Sequence, residues 1–308
     1  MRGIFGDRMT RATIGIDIGG TRLRAARVRD GVIEARAMAD SAPDPMVVVA
    51  RLKALVARVT GPDVVALGIG VPGMVDATTR EIFSCGYVNL SGFPFAAEME
   101  AATGLSVVIE NDASMALLGE AAYGAARGCA NVVMMTIGTG IGGAVLEGGQ
   151  LLRGRRSAGQ LGHMVVTPGG RACICGRAGC VETTSSGKAF GLHLAEAGLP
   201  ADTRVEDLLA RSDAGARAVI QAWAGPLMAA VETLVSTFHP DMVVIGGGAG
   251  AGAALALQRM VQPPSWFAAP IVAASLGDDA GVIGGAVAAL KAGGAAKRAV
   301  LQRGSRAR

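Results

Sequence analysis

Three β-type runs in this 308-residue chain end in glycine clusters: Asp17-Ile18-Gly19-Gly20-Thr21-Arg22, Gly138-Thr139-Gly140-Ile141-Gly142-Gly143 and Gly246-Gly247-Gly248. Glycine lets the backbone turn tightly and present N–H groups to an anion with no Cβ in the way. A single loop of this kind ends a strand in any α/β protein, whereas three favour a nucleotide site. Glycine accounts for 46 residues, about twice the usual share of roughly 7%. It has no three-residue period, which excludes collagen. With 51% hydrophobic and 18% charged residues, the chain has ample material for a core, and a disordered chain is excluded.

The type of nucleotide loop is narrowed by what surrounds the glycines. The pattern GxxxxGK[ST] is absent: Gly187-Lys188 is followed by Ala189 and lacks the upstream glycine. GxGxxG occurs at Gly68/Gly70/Gly73 and at Gly138/Gly140/Gly143. The first holds Pro72 where a helix should begin, and the second runs into another strand. A dinucleotide loop needs strand, loop, then helix, so both are set aside. Asp17 lies inside the first loop, where a carboxylate repels phosphates unless Mg²⁺ lies between them. This points to a Mg-nucleotide held by a β-hairpin phosphate loop.

Hydrophobic periodicity predicts strands over 13–18, 23–28 and 32–37, with a turn at Asp30-Gly31. A helix over 45–59, strands over 64–69 and 107–109, and a helix over 113–122 follow, reading β-β-β-α-β-α-β-α with the helix between the last two strands left without bounds. A second series begins with strands over 131–137, 143–147 and 150–153. It continues with helices over 205–210 and 214–238, strands over 242–245 and 271–274, and a helix over 282–292. Two such series predict related α/β lobes with a cleft between them. The expected division is 1–120 and 121–281, with the last helix, about 282–296, returning to the first lobe.

His163, then nine residues, then Cys173-Ile174-Cys175-Gly176-Arg177-Ala178-Gly179-Cys180 place three thiols and an imidazole within reach of one ion. That is a structural zinc composition; the plainer alternative is three buried thiols and a core histidine. With Cys85 and Cys129 the cysteines number five, and a disulfide framework is not expected without a signal peptide. The start of the chain has no apolar segment of that kind. The most apolar stretches, 132–146 and 242–257, are glycine-interrupted and shorter than a span of about 18 residues. A cytoplasmic protein with no membrane partner is therefore expected. The net charge is +4, from 25 Arg and 4 Lys against 25 acidic residues. Apart from 153–156 and a basic tail over 297–308, expected to be frayed, the basic residues are scattered, and aromatics are 4%. No nucleic-acid partner is expected.

Asp112 follows Asn111 at a predicted strand end that opens a helix. By itself it reads as an N-cap or as a base for an attacking hydroxyl. The segments around Asp17–Arg22, Gly70-Val71-Pro72-Gly73, Glu110-Asn111-Asp112-Ala113, Gly138–Ala144 and the cysteine knuckle resemble the ROK family over residues 13–290. That family comprises bacterial sugar kinases and related repressors. The resemblance implies a two-lobed α/β, actin/hexokinase-like (ribonuclease H-like) ATPase fold with a structural zinc segment. It also implies ATP-dependent phosphorylation of a hexose with ATP, Mg²⁺ and Zn²⁺. Asp112 matches the family's catalytic aspartate. Gly73, Asn89, Asn111, Asp112, Gln160, His163 and Glu182 match its sugar contacts. Asp17, Gly19, Gly20, Thr21 and Arg22, with Gly138, Thr139 and Gly140, match its phosphate loops, and Gly246, Gly247 and Gly248 would sit under the adenosine. His163, Cys173, Cys175 and Cys180 match its zinc ligands, with His163 also touching sugar through its other nitrogen.

The chain departs from the family pattern Glu-x-Gly-His with Gln160-Leu161-Gly162-His163. Glutamine donates where glutamate only accepts. This is either a tolerated near-isostere or a sign of altered substrate or lowered activity. Glucose is the default sugar; N-acetylmannosamine, N-acetylglucosamine, fructose and allose remain open, as does a weakly catalytic sugar-binding member. The family's regulators carry an extra N-terminal helix-turn-helix domain, for which the residues before Asp17 are too few. The resemblance further implies a homodimer or a tetramer.

Overall fold

The computed structural model describes residues 11–84, 88–156, 158–260 and 265–305, so Cys85 lies outside the described residues. These form two compact units. One holds the described residues up to Tyr123, 155–156, and those from Asp279 onward; the other holds Gly124–Gly154 and Ala158–Asp278.

The first unit runs β1 (Ala12–Ile18), β2 (Arg22–Arg29), β3 (Val32–Asp40), α1 (Pro45–Val59), β4 (Val64–Val71), β5 (Met74–Asp76), β6 (Glu81–Ser84), α2 (Phe95–Thr103), β7 (Ser106–Asn111) and α3 (Asp112–Tyr123). Its five-stranded sheet has the order β3-β2-β1-β4-β7. The first three strands are antiparallel, and β4 and β7 add in parallel. β1 is central and covered on both faces, so it reads as a nearly unbroken apolar run. Asp30 and Gly31 both take positive φ (50° and 80°), as a two-residue turn between twisted strands requires. Asp44 caps α1 by accepting from the Met46 N–H at 2.7 Å, and Pro45 supplies a helical φ at the first position. One face of α1 buries Val48, Val49, Leu52, Leu55, Val56 and Val59, each contributing roughly 1.5–3 kcal/mol. The β5–β6 hairpin is absent from the sequence reading, because three- and four-residue strands are too short to show a period.

The second unit runs β8 (Val132–Ile137), β9 (Ile141–Glu147), β10 (Gln150–Leu151), α4 (Glu182–Ser185), α5 (Gly187–Glu196), α6 (Val205–Leu209), α7 (Ala214–Phe238), β11 (Met242–Gly246), α8 (Gly250–Arg259) and β12 (Ile271–Ala273). Its sheet, ordered β10-β9-β8-β11-β12, repeats the first unit's pattern of two antiparallel and two parallel pairings. α8 lies in a stretch that the sequence reading left without a helix. α7 is long and apolar enough to cross a membrane by length and composition, and half of its most apolar window is buried inside the unit. Trp223, Leu227, Val231 and Leu234 on it belong to this unit's core.

The last helix, α9 (Ala280–Ser305), runs as far as Ser305 into the tail expected to be frayed, and it belongs to the first unit. It lies against β1, β4 and α3 at backbone contact. A Cβ on Gly15 would stand 1.7 Å from the Val282 carbonyl oxygen, and one on Gly284 would stand 1.6 Å from that of Met115. Many of the chain's glycines are therefore packing devices, since no other residue allows backbones this close. Buried Thr13 adds a bond from its hydroxyl to the Ala286 carbonyl at 2.9 Å.

Candidate active site

In the first unit, β7 ends at Asn111 and α3 begins at Asp112. The cap of α3 is Asn111: its Oδ1 accepts the Ser114 N–H at 3.1 Å. Its Nδ2 donates to the Gly73 carbonyl and to Asp112 Oδ1, both at 2.9 Å. Asp112 Oδ1 also accepts the Ala113 N–H at 2.8 Å. The N-cap alternative for Asp112 thus falls to its neighbour, which leaves the carboxylate for other work. Burial pushes the Asp112 carboxyl up to about 6, with the charge of Asp17 adding to the rise and the bonds from Ala113 and Asn111 opposing it.

Strand register brings Asp17 and Asp112 together. Asp17 is paired with Gly70 of β4, and a Cβ on Gly70 would stand 3.4 Å from the Asp112 Cα. The charge of Asp17 accordingly reaches the Asp112 carboxyl. The Gly68/Gly70/Gly73 pattern has a use unrelated to dinucleotides: Gly68 meets Gly285 of α9, and Gly73 turns with φ 88° beneath Asn111. Asn89 is exposed, and its side chain makes no hydrogen bond to this group among the described residues.

Asp17 is paired across the hairpin with Arg24, whose Nη1 lies 3.1 Å from Asp17 Oδ2. The sequence reading omitted Arg24. Hairpin register was the available signal, because residues facing each other on β1 and β2 share a face. The turn between them is closed by the Gly19 N–H donating to the Arg22 carbonyl at 2.9 Å, leaving Gly20, Thr21 and Arg22 exposed.

In the second unit, the two other glycine clusters meet at the ends of β8 and β11. The Gly138 N–H donates to the Gly140 carbonyl, and the Ala249 N–H donates to the Ile137 carbonyl, each at 2.9 Å. Gly247 turns with φ 83° directly against Ile137. Glu182 Oε2 accepts the Ile141 N–H at 2.8 Å, so the acid expected at the sugar also buttresses the loop holding Thr139. Gln160 precedes the single helical turn Leu161–His163, and its carbonyl accepts the His163 N–H at 3.1 Å.

The donor atoms of His163, Cys173, Cys175 and Cys180 all lie within 4.8 Å of one another. His163 Nδ1 stands 3.4 Å from Cys173 Sγ, and Cys175 Sγ stands 3.6 Å from Cys180 Sγ. A tetrahedral ion with bonds of about 2.3 Å to sulfur spaces its ligands at about 3.7 Å, so the four residues fit zinc. Nδ1 faces the thiols, which leaves Nε2 for another partner. The knuckle is folded by the Cys173 N–H donating to the Arg177 carbonyl at 2.8 Å. A Cβ on Gly179 would stand 1.7 Å from the Thr167 carbonyl oxygen.

A model of the ROK family matches residues 13–292. A glucokinase of Halalkalibacterium halodurans is 31% identical over 306 residues, covering 88% of this chain and 93% of the relative. An N-acetylmannosamine kinase of Escherichia coli O7:K1 is 33% identical over 290 residues, covering 90% and 98%. A ROK family glucokinase from Streptomyces griseus, solved in complex with glucose and AMPPNP, is similar with a TM-score of 0.78 and 31% identity. That match covers 91% of this chain and 99% of the other.

Proposed function

The chain belongs to the ROK family and is a carbohydrate kinase of actin/hexokinase-like α/β fold, and from that premise we propose that it transfers the γ-phosphate of ATP to the primary hydroxyl of a hexose. Glucose is the default acceptor, and the products are the sugar 6-phosphate and ADP. The observation that carries this reading is Asp112, relieved of capping by Asn111 and held next to Asp17 with a raised pKa. As the hydroxyl oxygen bonds to the γ-phosphorus and the bridge to ADP breaks, the hydroxyl proton passes to the Asp112 carboxylate. Asn111 and Gly73 orient that carboxylate, and Asn111, Asn89, Gln160, Glu182 and Nε2 of His163 hold the sugar.

Gly19, Gly20, Thr21 and Arg22 cradle phosphates with Gly138, Thr139 and Gly140, and Gly246–Gly248 lies under the adenosine. Asp17 would help hold Mg²⁺, which when bound neutralises phosphate charge. His163, Cys173, Cys175 and Cys180 would hold zinc as a closed set that shapes the sugar pocket without activating water. The protein acts in the cytoplasm as a homo-oligomer. Gln160 favours a second acceptor class, N-acetylmannosamine or N-acetylglucosamine, because a carboxamide can donate to an acceptor group on the sugar. It also motivates a sugar-binding member with weak turnover.

A coupled ADP-release assay with glucose, fructose, allose, N-acetylmannosamine and N-acetylglucosamine decides among these. One sugar is expected to raise ADP release far above the ATPase background. Sugar binding without ADP release would favour the weakly catalytic reading, and neither binding nor release would overturn both.

A further inference from the structure

Gly187-Lys188 lacks the upstream glycine of a contiguous phosphate loop, yet its place in the second unit gives Lys188 a related position. The Gly187 N–H donates to the Gly138 carbonyl at 2.8 Å, so the start of α5 is bound directly to the Gly138-Thr139-Gly140 loop. A cavity of about 210 Å³ opens there, lined by Thr139, Lys188, Arg171, Glu182 and Ser186 among others. It is smaller than the roughly 300–1,000 Å³ that holds a whole drug-sized ligand, and its walls carry charge.

The charges on these walls are unequally engaged. Arg171 donates to Glu196 at 2.6 Å, and Glu182 accepts from the Ile141 backbone. Lys188 is exposed, and its ammonium has no hydrogen-bond or ion-pair partner among the described residues. A carboxylate on the wall of a phosphate cavity repels the ligand, and a neighbouring free cation offsets that repulsion. Lysine does this as a flexible point charge.

We propose that Lys188 is a donor-binding residue: its ammonium holds a phosphate of the nucleotide above Thr139. Two segments distant in sequence thus assemble what a contiguous glycine-lysine loop supplies in one. The proposal rests on the kinase reading above for the identity of the nucleotide, and its test is made without sugar so that the two can fail separately.

The affinity of the full-length protein for ATP with Mg²⁺, and for adenosine, is measured by calorimetry on wild type, Lys188→Met, Lys188→Gln and Lys188→Arg. One charge-assisted phosphate contact corresponds to about ten-fold in affinity or more. Lys188→Met and Lys188→Gln are expected to weaken ATP binding by at least that factor and to leave adenosine binding unchanged, with Lys188→Arg recovering part of the loss. In turnover, kcat/KM for ATP should fall in parallel while sugar affinity holds. ATP affinity within three-fold of wild type in either neutral variant overturns the proposal, as does an equal loss for ATP and adenosine. Thermal melts confirm that each variant is folded, which the exposure of Lys188 favours. A wild-type protein that binds ATP through Lys188 but phosphorylates no sugar would refute the kinase reading and leave this one standing.

Discussion

At the start of α3, two adjacent side chains divide two tasks. Asn111 caps the helix through Oδ1 while its amide fixes Asp112. Asp112, at the first helical position, keeps a carboxyl pushed up to about 6, against an ordinary value of about 3.9. As a base it must be ionised, so turnover should fall with one proton as pH drops through about 6. Stability runs the other way. A raised folded-state pKa means that the folded protein binds the proton more tightly than the unfolded chain. The stabilisation is complete below the ordinary carboxylate value and is lost as pH rises through about 6. Asp112→Asn removes this half-buried charge. ADP release should fall at least about a hundred-fold, while Tm at neutral pH without nucleotide or Mg²⁺ should rise by a few degrees. Normal turnover in this variant would sink the assignment of Asp112 as base.

At the scale of the element, the cysteine knuckle is an irregular loop folded back by backbone bonds and two isolated bridges, with glycines at 176 and 179 both at positive φ. A segment with so few buried apolar side chains would gain order from a bound ion. Metal analysis of the purified protein should find one zinc per chain. Chelation, or Cys180→Ser, should lower Tm and raise the KM for sugar more than that for ATP, because His163 would link the metal to the sugar pocket. A protein that holds no zinc, with a Cys180→Ser variant of unchanged Tm, would leave the four residues as thiols and an imidazole in contact. The grouping of these four residues was legible because they lie within eighteen residues of chain, with a short reach fixed by covalent geometry. The β5–β6 hairpin and α8 were not legible: the first is too short for a period, and the second begins inside a run of glycines and alanines with no polar face.

At the scale of the molecule, the chain leaves the first unit after Tyr123 and returns to it at Asp279. The return is stitched by contacts between backbones, with Gly15, Gly119 and Gly284 among the residues that permit them. Gly284→Ala should destabilise this unit by about 3 kcal/mol, at the upper end of the usual overpacking range, because the obstructing atoms belong to the main chain. Gly293→Ala in the same helix meets nothing within 4 Å and should be neutral, or stabilising by up to about 1 kcal/mol. Equal effects of the two in denaturant unfolding would refute close packing as the reason for glycine at 284. Sequence alone determined the glycine clusters at the strand ends, the grouping of His163 with Cys173, Cys175 and Cys180, and most of the longer strands and helices, because each is specified by the local periodicity or spacing of neighbouring residues. Tertiary structure alone decided that Arg24 pairs with Asp17, that Asn111 and not Asp112 caps α3, and that Gly187 binds the Gly138 loop. It also decided that Gly15, Gly68, Gly119, Gly284 and Gly285 let α9 lie against β1, β4 and α3. These partners are set by strand register and by the fit of one backbone against another, which residues distant in sequence reveal only when the chain is folded.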